Sequence, residues 1–369
     1  MQNILIGNGV TIQFGGKEYF NDRIIKRAIN NINTKDFPSE IYPREVKDWL
    51  FYLHSIIPGV VNGQYDKYTN TLDMKKSLTF FIERYKGIAN KAKVHQIGFE
   101  DYFLLNFLVC NKEKIVNPDR FNIKESLRLF FIDSIYNNSK IQEIHRNYPK
   151  DFIAFLKEFE NLFTTNYDWN IEKATDRTVQ YLHGSFHQLA EVYNPESFRN
   201  KLSDSPYKDT NINNKFIHLY SDALTTYSGN DKKFVLEQPI QANVALEKFN
   251  KGLKEKPEIW KEVNDWKSSD NKILRNLAES IQLKSNDESL SVLENRSLYD
   301  LSKVNGEISI LGLSVFNDNH IFDAINNNIE ISKVKYYYFS PIEMDAVMNT
   351  FNNKDIEFKD VKDFWKRFS

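Results

Sequence analysis

A chain of 369 residues has length enough for an extensive core, in one large domain or two ordinary ones. Its 49 basic and 50 acidic residues leave a formal charge of −1, without the basic excess of a dedicated nucleic-acid binder, so direct nucleic-acid binding is not expected. A hydrophobic content of 41%, with 28 Phe and 19 Tyr, excludes a disordered chain.

The single cysteine, Cys110, excludes an internal disulfide and a multi-cysteine zinc site. It lies in the apolar run 103–110 and reads as a buried, inert thiol. No apolar run approaches the length that spans a bilayer, and no basic segment followed by a long apolar stretch opens the chain. A soluble, reducing, cytoplasmic setting with no membrane contact is therefore expected.

In chain order, Asn3 to Ile6 is a short apolar run that enters a glycine-rich turn at once. Four of the 13 glycines stand here, at Gly7, Gly9, Gly15 and Gly16. A buried parallel strand feeding a phosphate-binding turn has this form. Phe20, Ile24, Ile25 and Ala28 then recur at helical spacing, giving strand, turn and helix over 1–33.

From 34 to 160 the pattern is helical almost throughout, with Leu127, Phe130, Phe131 and Ile135 on one face and Phe152, Phe155, Leu156 and Phe159 on another. Five prolines punctuate this segment, and no period recurs along it. Strand character returns at Leu162 to Asn166 and at Val179 to Leu182. Segment 191–305 is mixed and polar, with a helix around Asn243 to Leu253 and a charged run near 254–272 that reads as a solvated face or loop. Ile308 to Leu311 is again a buried-strand pattern ending in glycine, and Val334 to Phe339 is a last β-rich run. The tail, 341–369, reads as one or two helices.

These elements predict an α/β fold with a Rossmann-like parallel sheet and a large helical insertion. The sheet domain is discontinuous, 1–33 and 161–340, with 191–305 a mixed insertion and 34–160 the helical one. Ligands of open α/β sheets bind outside the carboxyl ends of the strands, so residues following Ile6, Phe163 and Leu311 are expected to meet in one cleft.

In sequence order those residues resemble the motifs of the sirtuin-like NAD-binding family. The first, Gly-Ala-Gly-x-Ser-x-x-x-Gly, is matched by Gly7-Asn8-Gly9-Val10-Thr11 running to Gly15, with identical glycine spacing. Thr164-Thr165-Asn166-Tyr167-Asp168 matches Thr-Gln-Asn-Ile-Asp, His183-Gly184 the catalytic His-Gly, and Gly312-Leu313-Ser314 the late Gly-Thr-Ser. Ile-Gly-Asn-Gly at the start and residues 314–321 are closer to a bacterial branch, the sirtuin-like effectors of anti-phage defence and the related AbiH abortive-infection proteins. The four-cysteine zinc module of the protein deacylases is absent, and Gly16-Lys-Glu-Tyr-Phe replaces the family's Pro-Asp-Phe-Arg-Gly. Both departures point away from an acyl-lysine peptide substrate.

The resemblance implies a sirtuin-type sheet and an NAD+ glycohydrolase, releasing nicotinamide and ADP-ribose as a toxic effector. NAD would be the substrate, with no metal required. Gly7, Gly9 and Thr11 would offer backbone N–H groups and a hydroxyl to the pyrophosphate, with Asn8, Gly312 and Ser314 beside them. Asp168 would accept from the carboxamide, Asn166 would orient water or ribose, and His183 would be the base. Regulation by homo-oligomerisation or by a partner, such as a HerA-type ATPase or a short Argonaute, is implied as well.

Other readings stand beside these. Asn166 and Asp168 also suit a helix cap, and Ser314 suits the cap of the helix holding Ile321 and Ile325. His187, four residues after His183, lacks the glutamate of a helical metal motif and reads as a bystander. His320 reads as packing or capping. An NAD- or ADP-ribose-binding subunit without turnover, and an ADP-ribosyltransferase, are the alternative functions.

Overall fold

The structure, a computed structural model, describes residues 2–205, 207–223, 226 and 230–368. Six strands form one sheet: β1 Gln2–Ile6, β2 Asn161–Thr164, β3 Gln180–Tyr181, β4 Gly306–Leu311, β5 Ile331–Tyr338 and β6 Asp355–Asp360. Their order is β3-β2-β1-β4-β5-β6, and every pair is parallel. This is the doubly wound, Rossmann-like α/β arrangement, and its order reverses between β1 and β4. In register, Ile6 stands beside Thr164 on one side and Leu311 on the other, so three strands leave the sheet at one level.

Helices α1 (Asn8–Gly15) and α2 (Asn21–Asn31) follow β1. The helical segment then supplies α3 (Val46–Ser55), α4 (Ile57–Val61), α5 (Leu72–Tyr85), α6 (Phe99–Lys112), α7 (Asp119–Tyr136) and α8 (Lys150–Lys157), as its apolar spacing predicts. Helix α9 (Asn170–Thr175) joins β2 to β3. Short 3₁₀ turns and then α10 (Asn230–Glu255), α11 (Ile259–Lys267), α12 (Lys272–Asn286) and α13 (Ser297–Leu301) fill the stretch before β4. Helices α14 (Asn319–Asn327), α15 (Ile342–Thr350) and α16 (Val361–Trp365) follow β4, β5 and β6.

Both faces of the sheet are covered, as parallel strands require. Alternation along β1 sends Ile4 and Ile6 into the cluster that holds Leu50, Phe103, Phe131 and Phe152 of the helical segment. Leu5 enters the opposite cluster, with Ile308, Ile310, Val334 and Tyr336 of the sheet and Ile321, Phe322 and Ile325 of α14. Residues 34–160 therefore complete the core over one sheet face rather than standing apart from it. A third, smaller cluster lies in the later insertion, where Leu246, Val263, Ala278 and Ile281 join α10, α11 and α12.

Two expectations need correction. The tail, 341–369, is not purely helical, because Asp355–Asp360 pairs with β5 as the sixth strand. Its residues alternate between exposed and half-buried at a sheet edge, which leaves little apolar signal. Of the two readings of the charged run near 254–272, the solvated face is the one α11 shows, and the loop reading fails there. Within it, α11 buries Val263 while its charged residues remain in water.

Candidate functional site

The turn after β1 works by close approach. A Cβ on Gly7 would lie 2.5 Å from the Gly312 carbonyl oxygen, and one on Gly9 would lie 2.6 Å from Gly312 Cα. Gly312 itself has φ +73°, with Val10 N 2.9 Å from where its Cβ would stand. Three glycines thus let the chain leaving β1 cross the chain leaving β4 at the point where strand order reverses.

That crossing corrects the expected chemistry of the turn. The Gly7 N–H donates to Leu311 O at 2.9 Å and the Gly9 N–H to Gly312 O at 2.8 Å, so neither is free for a phosphate. Thr11 is buried, and its hydroxyl accepts from Asn166 Nδ2 at 3.0 Å. Gly7 and Thr11 build the wall; Asn8, Gly9, Gly312 and Ser314 line the cavity behind which they stand.

The cavity has a volume of about 720 Å³, in the range of small-molecule sites. Every strand contributes a residue from its carboxyl end: Asn8 after β1, Asn166 after β2, His183 after β3, Ser314 after β4, Phe339 after β5 and Lys362 after β6. The helical segment closes it with Phe99, Glu100 and Ile135. Of the residues singled out from sequence, the cavity brings together Asn8, Gly9, Asn166, Asp168, His183, Gly312 and Ser314.

Asn166 is oriented by what surrounds it. Its Nδ2 donates to Thr11 Oγ1 and, at 3.4 Å, to the Gly7 carbonyl, which can only accept. Its own N–H is held by Thr164 Oγ1 at 3.0 Å. The amide donors are thus tied to the fold, and Oδ1 is the atom left to accept from a hydroxyl or a water.

Asp168 accepts from the Asn170 backbone and side chain through Oδ1, a local turn rather than the cap of α9, which falls on Trp169 without a side-chain cap. Its Oδ2 is buried without a hydrogen-bond partner among the described residues. Burial pushes the carboxyl up to about 6, against the lowering effect of the Asn170 donors and of the nearby Thr11 hydroxyl. A buried, unpartnered acceptor lining a cavity is suited to an amide donor on a ligand.

His183 follows β3 through Leu182, whose N–H donates to Thr164 O at 2.8 Å. Gly184 turns the chain with φ +75°; a Cβ there would fall 2.2 Å from the Asp222 carbonyl oxygen. The His183 ring is buried, with Nε2 3.1 Å from His320 Nε2 and 3.8 Å from Asp318 Oδ1. Burial, and then the nearby Lys232 ammonium, hold its pKa well below the ordinary histidine value, so the ring is neutral at pH 7. With Nε2 facing His320, Nδ1 is the ring nitrogen left for chemistry.

Sequence reasoning passed over the network behind His183. Lys232 of α10 is buried and donates to Asp318 Oδ1 at 2.8 Å and to Glu100 Oε1 at 2.7 Å. Burial alone would raise the Asp318 carboxyl, but Lys232 outweighs it and holds the group below the usual range. Asp318 and His320 were visible in Asn-Asp-Asn-His as polar residues opening a helix; nothing in a polar segment marks Lys232. The cap of α14 is Asp318, with φ 52°, not Ser314. His183, Asp318 and His320 bring ligand atoms within 4.8 Å of one another, but the ammonium already seated on Asp318 would repel a metal ion there. His187 lies outside the cavity lining, against Tyr181 and Trp169.

No protein-family model, curated protein or solved structure matches the chain. Among the described residues, no helix is long and apolar enough to cross a membrane.

Proposed function

We propose that the chain cleaves NAD+ to nicotinamide and ADP-ribose. The observation that carries this reading is one cavity, at the reversal of strand order in a Rossmann-like sheet, lined by both Asn166 and His183. Dinucleotides bind at that point of such sheets, and a pocket built only to hold one needs no neutral imidazole at its floor.

In this reading the carboxamide of nicotinamide donates to Asp168 Oδ2, the acceptor that lacks a partner. The Asn166 Oδ1 atom accepts from the attacking water, and His183 Nδ1 takes that water's proton as its oxygen bonds to the anomeric carbon. The glycosidic C–N bond breaks, its electron pair returns to the pyridine ring, and nicotinamide leaves neutral. The pyrophosphate lies toward Asn8, at the amino end of α1, and Ser314. Such an activity is toxic unless held silent, so we assign its control to self-assembly or a partner protein, as expected of a bacterial anti-phage effector.

Incubation of the purified chain with NAD+, alone and with the products of neighbouring genes, tests the reading. Nicotinamide release that disappears in His183→Ala and Asn166→Ala is the expected result. Tight binding without turnover under every condition would favour a regulatory subunit, and label on a macromolecule an ADP-ribosyltransferase.

A further inference from the structure

Hydrolysis of NAD+ at neutral pH produces one proton per turnover, because the nicotinamide that leaves is too weak a base to carry it. His183 is buried, so a proton it takes from water while substrate fills the cavity needs a way out.

A second cavity, of about 490 Å³, lies beyond the imidazole pair. His183 borders the first cavity and His320 the second, where Glu237 of α10 and Asp323 of α14 also line the wall. The two rings meet at Nε2···Nε2, 3.1 Å, the distance of a hydrogen bond. Two neutral imidazoles facing in this way must hold opposite tautomers, one donating and one accepting. His320 Nδ1 is buried and has no partner among the described residues. A buried imidazole N–H with no acceptor is a donor that water entering from the second cavity can relieve.

We propose that His320 is a proton-relay residue, carrying the proton that His183 takes from water through to the second cavity. The step balances: the water O–H proton goes to His183 Nδ1, the His183 Nε2 proton to His320 Nε2, and the His320 Nδ1 proton to water. No charge remains on either ring, and each has changed tautomer; the same transfers, run in reverse with His183 Nδ1 giving its proton to water in the emptied cavity, restore the resting pair. Asp318, 3.8 Å from His183 Nε2 and fixed by Lys232, steadies the transient imidazolium. The charged groups about the pair are Glu100 from α6, Lys232, Lys233 and Glu237 from α10, and Asp318 and Asp323 at α14. Packing of Ile321, Phe322 and Ile325 against the sheet holds α14, and with it His320, in place.

The relay rests on the NAD+-cleaving reading, so its test has one arm that needs no turnover. In full-length protein labelled with ¹⁵N at histidine, resting His183 is expected to carry its proton on Nε2 and His320 on Nδ1. The reverse pair of tautomers, or stoichiometric zinc in the purified protein occupying both Nε2 atoms, would overturn the relay whatever the chain does to NAD+. In the second arm, His320→Gln is expected to lower kcat roughly tenfold or more with KM nearly unchanged. It should also enlarge the solvent isotope effect and restore dependence on buffer concentration. His320→Gln with the wild-type kcat, pH profile and isotope effect would sink the relay while leaving NAD+ cleavage standing. Absence of turnover in the wild-type chain with its activator removes the NAD+ reading instead, and the tautomers then decide whether the pair is poised to pass a proton.

Discussion

His183 and Asp168 sit on the same cavity, and burial acts on them in opposite senses. It keeps the imidazole neutral and makes the carboxylate costly. Replacing His183 with alanine should lower nicotinamide release by a factor on the order of 10² to 10⁴. Calorimetric titration should find NAD+ binding changed far less. Asp168 has a folded-state pKa of about 6 against an ordinary 3.8. A folded pKa raised above the unfolded value gives stability that is full below pH 3.8 and lost as pH rises through 6. At pH 8 the wild type thus carries an unpaired buried carboxylate oxygen. Asp168→Asn should melt at the same or a higher temperature there, with the difference shrinking as pH falls toward 4, while NAD+ binding weakens. A lower melting temperature for the variant at pH 8 would show that the carboxylate is satisfied in solution.

At the scale of elements, the crossing of two strand exits sets the site, and glycines are required there for contact rather than for flexibility. Gly312→Ala would force a Cβ at φ +73° against the Val10 backbone, and Gly7→Ala would force one into the Gly312 carbonyl. Both should cost several kcal/mol, as strain and overpacking add. Gly16 has φ +84° and ψ −171°, backbone that glycine alone adopts readily, but open space around it, so Gly16→Ala should cost about 1–3 kcal/mol from strain alone, less than the other two. Denaturant titration of the three variants checks the order. The glycine turn and the strands ending in Ile6, Phe163 and Leu311 were legible in sequence because buried parallel strands are short apolar runs closed by turn residues. Asn166 and His183 were legible because each follows such a run. Strand β6 was not, since Asp355-Ile-Glu-Phe-Lys-Asp packs along an edge and half its residues face water. Nor was the occupation of the turn's donors, for hydrogen bonds such as Gly9 N to Gly312 O depend on a partner some 300 residues away.

At the scale of the whole molecule, Lys232 joins three stretches of chain. It comes from the insertion before β4 and pairs with Glu100 of the helical segment and Asp318 of the sheet domain. Removing the ammonium in Lys232→Met leaves the buried Asp318 carboxylate and the partly buried Glu100 carboxylate without their cation, a loss of about 3 kcal/mol. The expected signs are a lowered melting temperature and faster proteolysis within 191–305. Adding Glu100→Gln and Asp318→Asn to Lys232→Met should recover much of that stability without restoring turnover. A charge-neutral triple variant no more stable than Lys232→Met would place the energy of this junction in packing instead.

Strand β1 lies inside the sheet, and both its partners stand far along the chain. Its neighbours arrive late: Asn3 pairs with Asn161, and Gln2 with Glu307. A ribosome must therefore add about 160 residues before β1 has its first partner and about 300 before the cavity can have its second wall, so the glycine turn waits unpaired until β4 emerges. Such long-range pairing folds slowly and exposes an apolar strand to chaperones and to aggregation in the meantime. On the proposed NAD+-cleaving reading, the same delay is protective. No nascent fragment that ends before β4 can hold a working site, and translation itself becomes the first interval in which the activity is withheld.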